Sequence, residues 1–192
     1  MSLWGTTDGT KPKFLTDEEK KLVFANQSGW VLEAGAESAK FTGNDNPNAQ
    51  PEVLVAIGNL ADSIGAATIT EIEFMTTAFS KAAGGTISMR VRYNEEVTVT
   101  GVPRFVINNT TNAARHQTCT YVSGSGTNEL IFGKTLGANS GDINASDVLN
   151  VIANPIAHNG GSTIKDKGTS TNAEITSSTA IGTAAGTLTI AA

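Results

Sequence analysis

Apolar and polar residues alternate with a period of two through most of residues 86–166, and the alternation stops at glycine-rich turns. Successive side chains on a β-strand point to opposite faces, so this pattern describes strands with one face buried and one face wet. The clearest stretch places Ile87, Met89, Val91 and Tyr93 on one face and Ser88, Arg90 and Arg92 on the other. The second face reads as a solvated sheet surface; pairing with acids of a neighbouring subunit is the alternative use for the two arginines. Val97 and Val99 carry the alternation to Gly101, Pro103 marks a turn or an edge, and Phe105 and Ile107 open another strand. Residues 118–123 and 128–133 flank Gly124, Ser125, Gly126 and Thr127, a hairpin signal. With residues 70–75, 148–152, 162–165 and 186–190 the total comes to about seven to nine short strands, the signature of a β-sandwich.

The first third of the chain follows a different pattern. Residues 1–14 are polar, contain glycine and are interrupted by Pro12, which predicts an extended arm. Thr16 and Glu19 have capping-box spacing, in which the N-cap hydroxyl and the acid each satisfy an amide of the first turn. A helix of about two turns is expected from there through Ala25, with acids at its start and Lys20 and Lys21 further on to suit the helix dipole. Residues 26–29 end it. Short strands are expected at residues 29–34 and 52–57, separated by a polar excursion. Residues 65–68 read as a linker, giving an arm and docking region over residues 1–66 and a sandwich over residues 67–192.

Composition narrows the class. The charged fraction of 16% is low and 20 glycines supply turns, a profile that suits an all-β protein. A net charge of -5 and a pI near 5.0 give no attraction for phosphate backbones or anionic lipid, so neither nucleic acid nor membrane is an expected partner. The first residues lack the basic start and apolar core of a secretory signal, and none is expected. Cys119 is the single cysteine, which excludes an internal disulfide; its place in an alternating strand makes it a small buried apolar residue.

The residues that could carry chemistry are scattered. His116 and His158 both lie beside polar turns, and no Cys/His/Asp spacing suits zinc. The Gly124 and Gly126 turn does not lead into a helix with the lysine that a phosphate cradle needs. Glu95 and Glu96 are adjacent, so a strand would turn them to opposite faces. Asp142, Asn144 and Asp147 offer oxygen ligands for calcium but lack the glycine and terminal glutamate of an EF-hand, and Asx turns are the expected use. No enzyme, cofactor or metal site is expected.

Two resemblances bear on function. "TISMRVRYNEEVTVTGVPRFVIN", "CTYVSGSGTNELIF" and "NGGSTIKD" resemble the bacterial immunoglobulin-like repeats of large surface and adhesion proteins, over residues 68–178. The repeat occurs once here, and Asn94, Glu95 and Glu96 stand where that family has a phenylalanine-led turn, which leaves the packing there open. "LWGTTDGTKPKFLT", "GWV" and "EVLVAIG" are similar to the opening region of virion structural proteins of marine tailed phages, cyanobacterial myoviruses in particular. Together they imply an immunoglobulin-like β-sandwich preceded by an arm, one short helix and a small β region. The implied function is a non-enzymatic capsid decoration or cement protein, assembled in the host cytoplasm and carried on the particle exterior. The expected partner is the major capsid protein or another virion subunit, or further copies of this chain. Trp4, Phe14, Leu22, Phe24 and Trp30 are the expected capsid-docking residues, since interfaces rely on a few apolar and aromatic anchors. A tail or neck component is one alternative; an adhesion module making weak contact with host-surface glycans is another.

Overall fold

The computed structural model describes residues 11–12, 14–35 and 46–192. Trp4 and the first part of the expected arm lie outside the described residues, as does much of the polar excursion. The chain is an all-β protein. In order it runs α1 (Asp17–Lys21), β1 (Val23–Asn26), β2 (Gly29–Leu32), β3 (Glu52–Ala56), β4 (Ile69–Phe74), β5 (Phe79–Ser80), β6 (Gly85–Thr100) and β7 (Arg104–Asn109). There follow β8 (Gln117–Ser123), β9 (Thr127–Leu136), β10 (Val148–Asn150), β11 (Ile156–Ala157), β12 (Thr163–Asp166), α2 (Thr179–Ala184) and β13 (Thr187–Ala191).

The capping box forms as its spacing predicts: Thr16 Oγ1 accepts from the Glu19 amide at 3.3 Å, and the Glu19 carboxylate accepts from the Thr16 amide at 2.6 Å. The helix, however, stops at Lys21, and the expected continuation through Ala25 is strand β1. Val23 and Phe24 prefer a pleated surface, and the turn at Gln27 and Ser28 brings residues 29–32 alongside, with Val23 opposite Leu32 and Asn26 opposite Gly29. Gly29 is required there: its φ is 135°, and a Cβ would lie 2.0 Å from the Val55 carbonyl oxygen of β3.

β6 is the spine of the rest. Its first part has β4 on one edge and β9 on the other, with Arg92 opposite both Glu71 and Glu129. Its last part pairs with β12, Val97 facing Asp166 and Thr100 facing Thr163. Between the two, the register against β9 jumps from Arg92 opposite Glu129 to Val97 opposite Thr127. Residues 93–96 therefore form a wide bulge that lets one strand leave one partner for another, the device by which strands turn corners between sheets. The path continues through β9, β8, β7, β10, β13 and β5, and β5 returns to lie against β6.

The predicted inward face is observed: Ile87, Met89, Val91, Tyr93 and Val97 are buried with Phe105, Ile107, Cys119, Leu130 and Phe132 in the main core. Phe132 holds Phe105 and Tyr121 around it, ring centroids 5.6 and 6.1 Å away. A second, smaller core is built by Leu22, Val23, Ala25, Trp30, Leu32 and Leu60. The two cores meet at the bulge, where Ala25 of β1 forms a single parallel pair with Glu95 of β6.

Candidate functional site

The layer between the cores is ionic. Arg90 and Arg92 project from the outer face of β6, and acids stand on the neighbouring strands at matching register positions. Glu73 is opposite Arg90 on β4, while Glu71 on β4 and Glu129 on β9 are opposite Arg92. Cross-strand pairs of opposite charge stabilise a sheet, and here the N-terminal unit closes over them. Glu33, just beyond β2, reaches Arg92 Nε at 3.4 Å, and Asn128 Nδ2 donates to Glu33 at 3.4 Å. Glu129 lies 2.9 Å from the same Arg92 Nε and 3.2 Å from Arg90. Arg90 also pairs with Glu73, and Lys21 of α1 approaches Glu71 at 3.7 Å.

The arginine face of β6, expected to be solvated, is covered by its own chain: the Arg92 side chain is 2% exposed. Burial pulls the Arg92 pKa down, but Glu33, Glu129, Glu73 and Glu71 overcome this and hold the guanidinium firmly charged. For Glu129 the balance differs. Burial and the neighbouring Glu33 carboxyl push it up to about 7 against the opposing pull of Arg92 and Arg90. The bulge adds Tyr93, Asn94 and Glu95, all buried. Asn94 ties it to the approach of β4, its side chain accepting from the Thr68 amide at 2.7 Å. Burial alone raises the Tyr93 phenol.

Beside this layer opens a cleft of about 420 Å³, walled by Phe24, Glu33 and Pro51 on one side and Glu96, Asn128, Glu129 and Lys167 on the other. Lys167 bridges its rim, 2.9 Å from Glu96 and 3.1 Å from the Gly126 carbonyl oxygen. The cleft is acidic and small, and among the described residues that line it no nucleophile is paired with a base.

Four of the five expected docking residues fall among the described ones, and they part company. Leu22 and Trp30 belong to the small core, and Phe24, on the opposite face of β1 from Val23 and Ala25, is buried against the cleft. All three are used inside the chain. Phe14 is 66% exposed, ahead of the capped helix. Lys11 packs against the small core: its Nζ donates to the Lys20 carbonyl at 3.1 Å and lies 5.9 Å from the Trp30 ring centroid.

The loop considered for calcium does not gather its acids. Asp147 is buried and accepts from Asn109 Nδ2 and the Asn144 amide, each at 2.8 Å, while Asp142 pairs with Lys134 at 3.4 Å. Among the described residues no group of three or more His, Cys, Asp or Glu is placed to hold a metal ion, and no helix is long and apolar enough to cross a membrane. His116 and His158 are exposed, and His116 Nδ1 accepts from the Asn109 amide at 3.3 Å. Cys119 is buried, and burial pushes its thiol up to about 12.

The glutamates of the ionic layer were missed as a group. The signal for them lay in parity: Glu71 and Glu73 alternate with Ile72 and Phe74 as Arg90 and Arg92 alternate with Val91 and Tyr93, so one sheet face collects both signs. Compared with family models, curated proteins and solved structures, the chain matches none.

Proposed function

We propose that this chain is a non-enzymatic structural protein of a tailed-phage particle, one that decorates or cements the capsid. On this reading an immunoglobulin-like sandwich is displayed outward and the N-terminal region docks onto a capsid subunit. The observation that carries it is Phe14, a large aromatic left 66% exposed at the root of the arm, next to the Lys11 anchor. The opening "LWGTTDGTKPKFLT" supports the same reading through its similarity to virion proteins. With Leu22, Phe24 and Trp30 spent on internal packing, the docking anchors reduce to Trp4 and Phe14. Aromatic side chains of this kind dominate interface energetics when they enter a partner's pocket.

The test is co-sedimentation of the purified full chain with capsids of a cyanobacterial myovirus. Wild type is expected to pellet with capsids, and Phe14→Ser and Trp4→Ser variants to remain in the supernatant while keeping wild-type stability. Equal pelleting of the variants and wild type would remove the arm from the docking role.

A further inference from the structure

Lys134 breaks the alternation of β9. Leu130, Phe132 and Leu136 on the inward face of that strand are buried, and Lys134 stands in line with them, its side chain 24% exposed. Opposite it on β6 is Ile87, a residue of the main core. Departures of this kind from an otherwise consistent pattern concentrate at functional sites. Here Lys134 lines an open hollow of about 390 Å³ together with Ala114, Arg115, His116, Gly141 and Asp142.

Buried polar side chains hold the walls of this hollow in place. Gln117, at the start of β8, is fully buried; its Nε2 donates to the carbonyl oxygens of Arg115 and Asp142, each at 2.8 Å, and so ties one wall to the other. Asn109, also buried, donates from Nδ2 to the Arg115 carbonyl at 3.4 Å and to Asp147 at 2.8 Å, and its amide donates to His116 Nδ1. With Nδ1 accepting, the neutral His116 ring carries its proton on Nε2 and has a donor to offer there. The Arg115 guanidinium forms no ion pair or hydrogen bond among the described residues. Asp142 is the one acid among the described lining residues, 64% exposed and 3.4 Å from Lys134. Two cations against one acid leave the hollow positive in a chain whose net charge is -5.

We propose that this hollow binds a single oxyanion group, a phosphate or sulfate, free or as a monoester. Arg115 supplies a planar fork for two of its oxygens, Lys134 a point charge, and His116 Nε2 a further hydrogen bond. The anion draws Lys134 away from Asp142, whose exposed carboxylate turns to water. Because the chain as a whole is acidic, long-range attraction contributes nothing, and binding is confined to the hollow. The ligand is one anionic group, not the extended charge of a nucleic acid. The site stands on elements other than the N-terminal arm, so it neither needs nor supports the docking role.

Titration of the full chain with inorganic phosphate and with inorganic sulfate, followed by amide NMR against sodium chloride at matched ionic strength, reads this directly. Saturable shifts are expected at residues 113–116, 134 and 140–142 with either oxyanion and not with chloride. Arg115→Ala should weaken binding by about tenfold or more, the loss of the charge-assisted hydrogen bonds of one guanidinium. Lys134→Met returns an apolar residue to the inward face, keeps the fold and should also weaken binding. Asp142→Asn removes the competing carboxylate and should tighten it. Arg104→Ala takes an exposed arginine from β7, outside the hollow, and should leave affinity unchanged. Methyl phosphate separates the two sources: binding as tight as that of inorganic phosphate assigns a monoester, and its exclusion assigns the free ion. Shifts that fail to saturate, an affinity unchanged in Arg115→Ala, or an equal loss in Arg104→Ala would each overturn the site.

Discussion

Gly124 packs against the carbonyl oxygen of Glu129 so closely that a Cβ on it would lie 1.9 Å from that oxygen. The close approach fixes the wide turn between β8 and β9, where the pairing steps from Tyr121 opposite Phe132 to Ser123 opposite Ile131. It thereby sets where Glu129 enters the ionic seam. Gly124→Ala is expected to cost more than about 3 kcal/mol, because a backbone clash adds to an unfavourable positive φ of 108°. Gly126→Ala, at φ 91° with open space around it, should cost only about 1–2 kcal/mol. Denaturant midpoints of the two variants check the difference.

Arg92 is the cation on which the seam depends. Replacing it with alanine takes from Glu33 the one cation described beside it and leaves Glu73 and Glu129 to Arg90 and Glu71 to Lys21; breaking a buried ion pair from one side typically costs about 3–5 kcal/mol. The loss should be larger at pH 8 than at pH 5, since protonation relieves the acids left behind. Urea unfolding at the two pH values measures it; an equal loss at both would argue against carboxylate repulsion.

Much of the frame was legible in the sequence because β-alternation is a local signal. The face of Ile87, Met89, Val91 and Tyr93, the hairpin around Gly124 and the capping box of Thr16 and Glu19 all follow from spacing alone. Helix α1 was expected to run on because Val23, Phe24 and Ala25 carry no stop signal. What ends it is the hairpin partner at Trp30 and Val31, a tertiary gain that outweighs the local continuation. The two-residue β5 and β11 had no periodicity to show. The ionic seam was hidden for a related reason. Arg92 looks like a surface residue until the N-terminal unit is seen to cover it, and nothing near Glu33 in the sequence announces that contact.

Overall stability should carry the imprint of Glu129. Its folded-state pKa is raised from 4.5 to about 7, so its contribution is fully present below the lower value and is lost as pH rises through the upper one. The expected loss is roughly 3–4 kcal/mol at most, taking roughly 1.4 kcal/mol per pKa unit over the rise from 4.5 to about 7. Denaturant titrations at several pH values should show it in wild type and not in Glu129→Gln.

Core and surface aromatics of the N-terminal region should separate cleanly. Trp30→Ala removes a fully buried ring from the small core and is expected to cost about 3–5 kcal/mol. Phe14→Ser changes an exposed side chain and should stay within about 0.5 kcal/mol of wild type. Thermal melts of the two variants test the contrast.

Cys119 should be silent in the folded chain. Its thiol is buried among strands and pushed up to about 12, so almost no thiolate is present at neutral pH. Labelling by a thiol reagent is expected to proceed at the rate of unfolding and to accelerate with denaturant; rapid labelling under native conditions would contradict the packing of β8.

The proposed structural role in a phage particle is tested most directly by locating the chain on intact particles. Gold-labelled antibody raised against the full chain, applied to purified cyanobacterial myovirus virions and viewed by electron microscopy, is expected to decorate the head with the repeat of the capsid shell. Particles bare of label, or label confined to the tail, would contradict a capsid decoration protein.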